Sequence, residues 1–256
     1  MTISIVTTCY NSASTIRETI QSILSQGDEN EVEYIVVDAG STDGTIDIVK
    51  SFGSRIKLIV EPKCSQSEGI NIGLKASTGE IVAFLNSDDT YLPGTLKKVK
   101  AAFASSPSAS WLAGQCEIVN SKGVKQNTWI SAYKNFLLKR HSYFLHLIEN
   151  YICQPAVFLR RQVLDKYGYF SAQEYLAMDY EYWLRIGNHE ELIIVNEPLA
   201  TFRRSKNTKS NTSYRKQFRD DLRLGVRYAL KSRKYLAIPL NFLAYIKTVT
   251  IYSFLY

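Results

Sequence analysis

Four cysteines are scattered along the chain (Cys9, Cys64, Cys116 and Cys153) with no CxxC pair and no metal-ligand spacing, which leaves no cysteine-built metal site. Cys9 and Cys116 fall inside strand-like runs, so buried free thiols in a reducing compartment are expected. His141, His146 and His189 likewise lack the spacing of a metal site or a triad. Neither GxGxxG nor GxxxxGKS/T occurs, so a dehydrogenase and a P-loop enzyme are both without their glycine cradle. The start, MTISIVTTCYN, has no basic segment, apolar core or small-residue cleavage site. It reads as a first strand, and a cytoplasmic protein is expected. No internal repeat or low-complexity tract is visible, and SKNTKSNTS at 205–213 is the single linker-like stretch.

What is present is an ordinary globular composition, 45% hydrophobic and 21% charged in 256 residues. That suffices for one large domain, or one domain with an appendage. The net charge of +7 is local to the tail. Residues 201–256 hold thirteen Lys and Arg against Asp220 and Asp221, whereas residues 1–200 hold eighteen bases and twenty-two acids. With an acidic body and no recognition motif, nucleic acid is not the expected partner.

The first hundred residues alternate continuous apolar runs with helical periodicity. Runs at Ile3–Thr8, Glu33–Asp38, Ile56–Val60 and Glu80–Asn86 read as strands. Thr15–Gln26, Thr45–Phe52 and Ser67–Ala76 read as helices. This pattern predicts an α/β fold, a Rossmann-like mainly parallel sheet flanked by helices. After residue 106 the rhythm becomes α+β. Trp111–Asn120 and Val124–Ile130 read as an antiparallel hairpin around Asn120–Gly123, and Ala132–Asn150 as an aromatic-rich helix. Pro155–Leu159 and Leu192–Val195 read as short strands, and Gln162–Tyr167 and Tyr175–Gly187 as helices. The expected organisation is 1–106 as an α/β half, 107–204 as an α+β half of the same domain, and 205–256 as a basic amphipathic and apolar helical C-terminal extension.

Ligands of open α/β sheets bind at the carboxyl ends of the strands. Three strands here end in polar loops: Thr7–Asn11, Asp38–Asp43 and Asn86–Asp89. Carboxylates in such loops are the hard ligands that Mg²⁺ and Mn²⁺ prefer, with phosphate oxygens completing the shell. The segments TISIVTTCYNSASTIRETIQSIL, YIVVDAGSTDGT, TGEIVAFLNSDDTYLPGTL and LAMDYEYWLRI occur in that order. Together they resemble the family 2 glycosyltransferases, which have the A-type glycosyltransferase fold, over roughly residues 2–190.

The resemblance implies an inverting, metal-dependent, hexosyl-type transferase that takes its sugar from a nucleotide diphosphate, commonly a uridine diphosphate sugar. It places Thr8 and Tyr10 at the base and ribose, and Asp38 at the uracil ring; a turn carboxylate capping Gly40–Ser41 is the structural alternative for Asp38. Ser87, Asp88 and Asp89 fall in the donor loop. Asp88 matches the metal-binding aspartate that would hold Mn²⁺ or Mg²⁺, and Asp89 a residue that orients loop or sugar. Asp43 fits the motif and a helix N-cap equally. Asp179 matches the base that deprotonates the acceptor, the alternative being an acid at a helix N-terminus. The chain departs from the pattern at Asn86, where the family has Asp, and at Met178, where it has a second acid. Lys63 and Glu68 stand where donor contacts are expected, and Gln154 replaces a histidine seen in some relatives.

Tyr214–Leu230 carries an aromatic-aliphatic stripe and an arginine stripe, each recurring every four residues, and residues 235–256 form an apolar, aromatic run interrupted by Pro239, Asn241 and Lys247. A peripheral anchor on the anionic inner face of the cell membrane is expected. Packing on the catalytic domain, or homo-oligomerisation, is the other use of such helices. The expected acceptor is a saccharide or lipid-linked saccharide in cell-surface polysaccharide synthesis. The competing function is a scaffold subunit that binds nucleotide sugar without efficient turnover.

Overall fold

In the computed structural model of the chain, residues 1–27, 31–126, 129–204 and 214–255 are described; the linker-like stretch 205–213 lies outside them. β1 (Ile3–Cys9), β2 (Val32–Asp38) and β4 (Ile81–Phe84) are almost wholly buried along their length. That is the pattern of strands covered by helices on both faces. β3 (Lys57–Val60) is the half-exposed edge. Between them run α1 (Ile16–Leu24), α2 (Thr45–Lys50) and α3 (Gln66–Lys75). α3 fits close to β1 because residue 73 is glycine: a Cβ there would stand 2.3 Å from Val6 Cγ1.

The sheet continues through β5 (Thr90–Tyr91), β6 (Trp111–Val119), β7 (Val157–Arg160) and β8 (Leu192–Arg203) in the order β3-β2-β1-β4-β7-β6-β8-β5. β1 to β4 are mutually parallel, β7 is antiparallel to both of its neighbours, and β8 is parallel to β6. The result is the expected α/β sheet, mixed in its second half and flanked by helices. One core layer holds Ile5, Ile20, Val36 and Phe103; the other holds Val6, Ile70, Trp111 and Trp183.

Four elements differ from the sequence reading. The hairpin is short: the Val124 N–H donates to Asn120 Oδ1 (3.0 Å) across the turn, the Gln126 N–H donating to the Ile118 carbonyl (2.7 Å) is the last pairing among the described residues of the turn, and β6 instead joins β7 and β8. The Asn120 N–H donates to the Val124 carbonyl (2.9 Å), and Val119 bridges Lys125, so the paired stretch beyond the turn is short. Ala132–Asn150 is two helices, α5 (Trp129–Lys139) and α6 (Tyr143–Ile148), because Ser142 caps a fresh start by accepting the Leu145 N–H (3.1 Å). α4 (Thr95–Ser105) was hidden behind the Pro-Gly turn. β8 runs past Pro198, which sits at a register shift against Gln115 and Cys116, where a strand tolerates proline.

α7 (Arg161–Tyr167) and α8 (Met178–Ile186) precede β8. The tail forms α9 (Tyr214–Lys231) and α10 (Ala237–Leu255), and both dock on the body. Leu224, Tyr228 and Ala229 pack with Leu147, Tyr180 and Leu184. Glu174 binds Arg223 and Arg227, and Asn241 donates to the Leu147 and Ile148 carbonyls (both 2.9 Å). Gly225 permits that approach, since a Cβ would meet Asn241 Nδ2 and Leu147 O at 2.6 Å. Among the described residues no helix is long and apolar enough to cross a membrane.

Candidate active site

Parallel register sets the site. Cys9 pairs with Asp38, and β4 meets β1 at Val6–Phe84, so three strands release their loops at one edge of the sheet. A cleft of about 1580 Å³ opens there. Thr8, Tyr10, Ser87, Asp88 and Asp179 line it; Asp38 and Asp89 do not.

Asp38 is fully buried. Its Oδ1 accepts the Gly40 and Ser41 N–H groups (2.9 and 2.7 Å), and its Oδ2 accepts the Ser41 hydroxyl (2.6 Å) and the Cys9 thiol (3.2 Å). The carboxylate therefore shapes the turn whose Ala39–Gly40 backbone faces the cleft; a direct base contact requires it to leave those donors. Burial, with Asp38 next, pushes the Cys9 thiol far above its ordinary range, so it is inert at neutral pH. Asp43 ties two loops together, accepting from the Ala13 N–H (3.0 Å) and from Thr45 (N–H 3.0 Å, hydroxyl 2.5 Å). These bonds, the Thr45 hydroxyl foremost, hold its pKa low. Asn11, at φ 48°, adopts the left-handed backbone that asparagine tolerates and accepts the Thr42 N–H (2.9 Å).

The Asn86–Asp89 loop is anchored from beneath. Gln154 donates to the Phe84 carbonyl (2.7 Å), so its oxygen accepts from Asn86 Nδ2 (3.3 Å). Asn86 Nδ2 also donates to Asp89 (3.0 Å), and Asn86 Oδ1 accepts from Gln66 (2.8 Å). Asn86 is thus a two-way connector whose oxygen already has a donor. Asp89 is buried behind the loop, does not line the cleft, and accepts the Arg203 N–H (2.8 Å). Burial first, then Asp88, raises its pKa well above the usual carboxylate range. Arg203, itself buried, donates through Nε to the Asp88 carbonyl (2.8 Å), through Nη1 to the Ser121 carbonyl (3.0 Å) and through Nη2 to Glu18 (2.5 Å). Ser87 and Ser12 hydroxyls meet at 2.9 Å, joining the first and third loops. Glu68 closes a capping box with Ser65 at the start of α3, a structural duty at a position where a donor contact was expected. Lys63 lines the cleft.

Asp179 stands half-buried in the first turn of α8, where the Tyr180 N–H donates to it (2.8 Å). Burial raises its pKa, against the pull of that amide and Lys134. Met178, buried beside it, adds to the desolvation. The same cleft is lined by Lys134 of α5, Asn150 beyond α6, and Asp221 of α9.

The profile of glycosyl transferase family 2 matches residues 4–168. The chain belongs to that family. It is 34% identical over 110 residues to an uncharacterized glycosyltransferase of Nostoc, a match covering 41% of this chain and 34% of the relative. It is 35% identical over 132 residues to the poly(ribitol-phosphate) β-N-acetylglucosaminyltransferase TarS of Staphylococcus aureus, covering 50% of this chain and 23% of that protein. The match thus spans about a third and a quarter of these two relatives. The crystal structure of TarS 1–349 in complex with UDP-GlcNAc superposes with a TM-score of 0.67 at 22% identity, covering 90% of this chain and 67% of that one. The mannosyltransferase PcManGT of Pyrobaculum calidifontis, in complex with GDP-Man and Mn²⁺, superposes at 0.66 and 19% identity, covering 94% and 73%. At these identities the two structures show a common A-type fold.

Among the described residues no group of three or more His, Cys, Asp or Glu side chains forms a cation cage. The Asn86–Asp89 loop offers the cleft one carboxylate, Asp88, which suits a cation that arrives with diphosphate oxygens as its other ligands. The sequence reading missed Arg203, Gln66, Lys134 and Asp221. Arg203 was hidden because β8 seemed to stop before Pro198. The tail acid carries a faint signal, as one of two acids among thirteen bases.

Proposed function

We propose that the protein is an inverting hexosyl-type glycosyltransferase, using a nucleoside-diphosphate sugar, a uridine diphosphate sugar foremost. Its acceptor is a saccharide or lipid-linked saccharide of cell-surface polysaccharide assembly. The observation that carries the reading is that Asp88 and the desolvated Asp179 line one cleft at the carboxyl edge of the sheet. Thr8, Tyr10 and the turn that Asp38 holds receive the nucleoside. Ser87 and Asp88 face the diphosphate. A bound Mn²⁺ or Mg²⁺ supplies charge neutralisation on the leaving diphosphate. Asp179 takes the acceptor's hydroxyl proton as that oxygen attacks the anomeric carbon, the bond to the diphosphate breaks, and configuration inverts. A raised pKa makes Asp179 a stronger base than an exposed aspartate.

Thermal shift against a panel of nucleotide sugars with Mn²⁺ tests the donor, because a ligand that binds the folded state raises Tm by mass action. UDP sugars are expected to give the largest shift, and Asp88→Ala to lose its Mn²⁺-dependent part. No shift with any nucleotide sugar sinks the reading. Asn86, whose amide is engaged on both sides, and Met178 support a second reading, a scaffold that binds donor without turnover. Calorimetric binding of UDP with Mn²⁺, in a protein with no transferase or hydrolase activity, would favour it.

The outer face of α10 supports a peripheral place at the cytoplasmic leaflet. Leu240, Leu243 and Ile246 are exposed there, as is Leu236 just before the helix, close in sequence to Lys231, Arg233 and Lys234. Co-sedimentation with phosphatidylglycerol vesicles, absent with phosphatidylcholine, is the expected result. No sedimentation with either, together with a dimer by light scattering, would reassign that face to a second copy of the chain.

A further inference from the structure

Asp221 enters the cleft from the tail. Its neighbour Asp220 pairs with Arg223 (3.6 Å), whereas Asp221 is among the cleft's lining. Asp221 Oδ1 is buried and receives no hydrogen bond, and the same holds for Asn150 Oδ1 and Asn241 Oδ1. All three residues line this cleft, and Asn241 packs against Gly225, one turn along α9 from Asp221. Here are three buried oxygens, each an acceptor, with no donor among them. A proton on Asp221 turns one of these acceptors into a donor.

The surrounding charges agree. Asp179 and Tyr180 face Asp221 from α8, and Asp220 lies on its own helix. Lys134 from α5 and the Asn150 amide favour its ionised form. α10 brings the uncharged Asn241, while its Lys247 is engaged by Glu149 and the Tyr133 hydroxyl (both 2.8 Å). Burial first, then Asp179, pushes Asp221 up to about 8. Asp179 has a backbone N–H on its carboxylate and is the member that ionises first. Neighbouring buried carboxyls resist double ionisation and divide into two roles.

We propose that Asp179 and Asp221 form a pair holding one proton between them, with Asp221 the positioning residue that carries it and Asp179 left ionised to receive the acceptor's proton. The inference rests on the reading of Asp179 as base. In the transfer step the acceptor oxygen loses its proton to Asp179, so the pair then holds two, and one returns to solvent after product leaves. The tail helices thereby belong to the acceptor side of the site and are more than an anchor.

The test is a pH titration of the full-length protein labelled with ¹³C at the aspartate carboxyls. Coupled groups titrate as a unit. Wild type is expected to show a carboxyl step near pH 8 that vanishes in Asp221→Asn. In Asp179→Asn that step should move down by about one pH unit or more, as the like charge is removed. An Asp221 step below about pH 5, the range of an ordinary aspartate, or one unmoved by Asp179→Asn, overturns the pair. With UDP-GlcNAc as the turnover probe, the wild-type rate should change across about pH 7–9, and Asp221→Asn should be flat there. Superimposable profiles overturn the positioning role. Wild-type turnover by Asp179→Asn overturns the base reading, and with it the pair's catalytic role, even where the titration shows the shared proton.

Discussion

Where β1, β2 and β4 release their loops into the cleft, acids are saturated with hydrogen-bond donors. Asp38 accepts four hydrogen bonds, Asp43 three, and Asp89 takes the Arg203 N–H and the Asn86 amide. Where α8 and α9 meet the cleft, Asp179 takes the Tyr180 N–H, and Asp221 keeps a buried oxygen without a partner. The difference separates two uses of a carboxylate. A saturated one fixes a loop at a cost its bonds offset, while an under-bonded one retains proton affinity and has chemistry left to do. Asp88 stands between: its backbone carbonyl is fixed by Arg203, and its side chain faces the cleft.

The contrast can be broken most severely at Arg203. Arg203→Met removes the donor beneath the Asp88 carbonyl and the Ser121 carbonyl, and should cost about 2–4 kcal/mol in chemical denaturation. A loss within experimental error would mean that the donor loop is held by other means. Next is the tail. Gly225→Leu forces a side chain against Asn241 and the Leu147 carbonyl, and should cost about 1–3 kcal/mol. Protease accessibility of the tail should rise while nucleotide binding persists; unchanged accessibility would refute the docked position.

Asp221 offers a pH test of the same contrast. Its folded pKa is raised above the unfolded value, so its contribution is fully present below about pH 4 and is lost as pH rises toward about 8. Wild-type Tm should therefore fall by several degrees more than that of Asp221→Asn between those limits, and parallel curves would contradict the raised pKa. The smallest effect is at the start of α3: Ser65→Ala opens the capping box and should cost about 1 kcal/mol, read by denaturation. A cost near zero would show that Glu68 caps α3 unaided.

Local pattern revealed the first half of this fold well, because parallel strands buried on both faces are continuous apolar runs, and Ile5, Val36 and Val82 sit where those runs place them. It gave the loops that gather at the cleft, since strand ends and loop chemistry are both local. It offered the Gly40–Ser41 cap for Asp38, whose donors are mostly local, but it did not reveal that Asp89 turns inward, because that burial depends on a donor from far along the chain, the Arg203 N–H at the end of β8. Asp221 was beyond its reach for the same reason. A helix-borne acid gains meaning only when α9 is seen to dock against α6 and α8 through Leu224 and Tyr228. The α9 stripe winds off one face, as a four-residue repeat on a helix must, and leaves Leu230 exposed while Gly225 and Ala229 are buried.

The most direct test of the central claim is to measure UDP-GlcNAc binding and turnover side by side, with Mn²⁺, for wild type and Asp179→Asn. The account predicts affinity within about twofold and turnover lower by about 10²- to 10⁴-fold, the loss expected for a missing general base. Wild-type turnover by Asp179→Asn would contradict it.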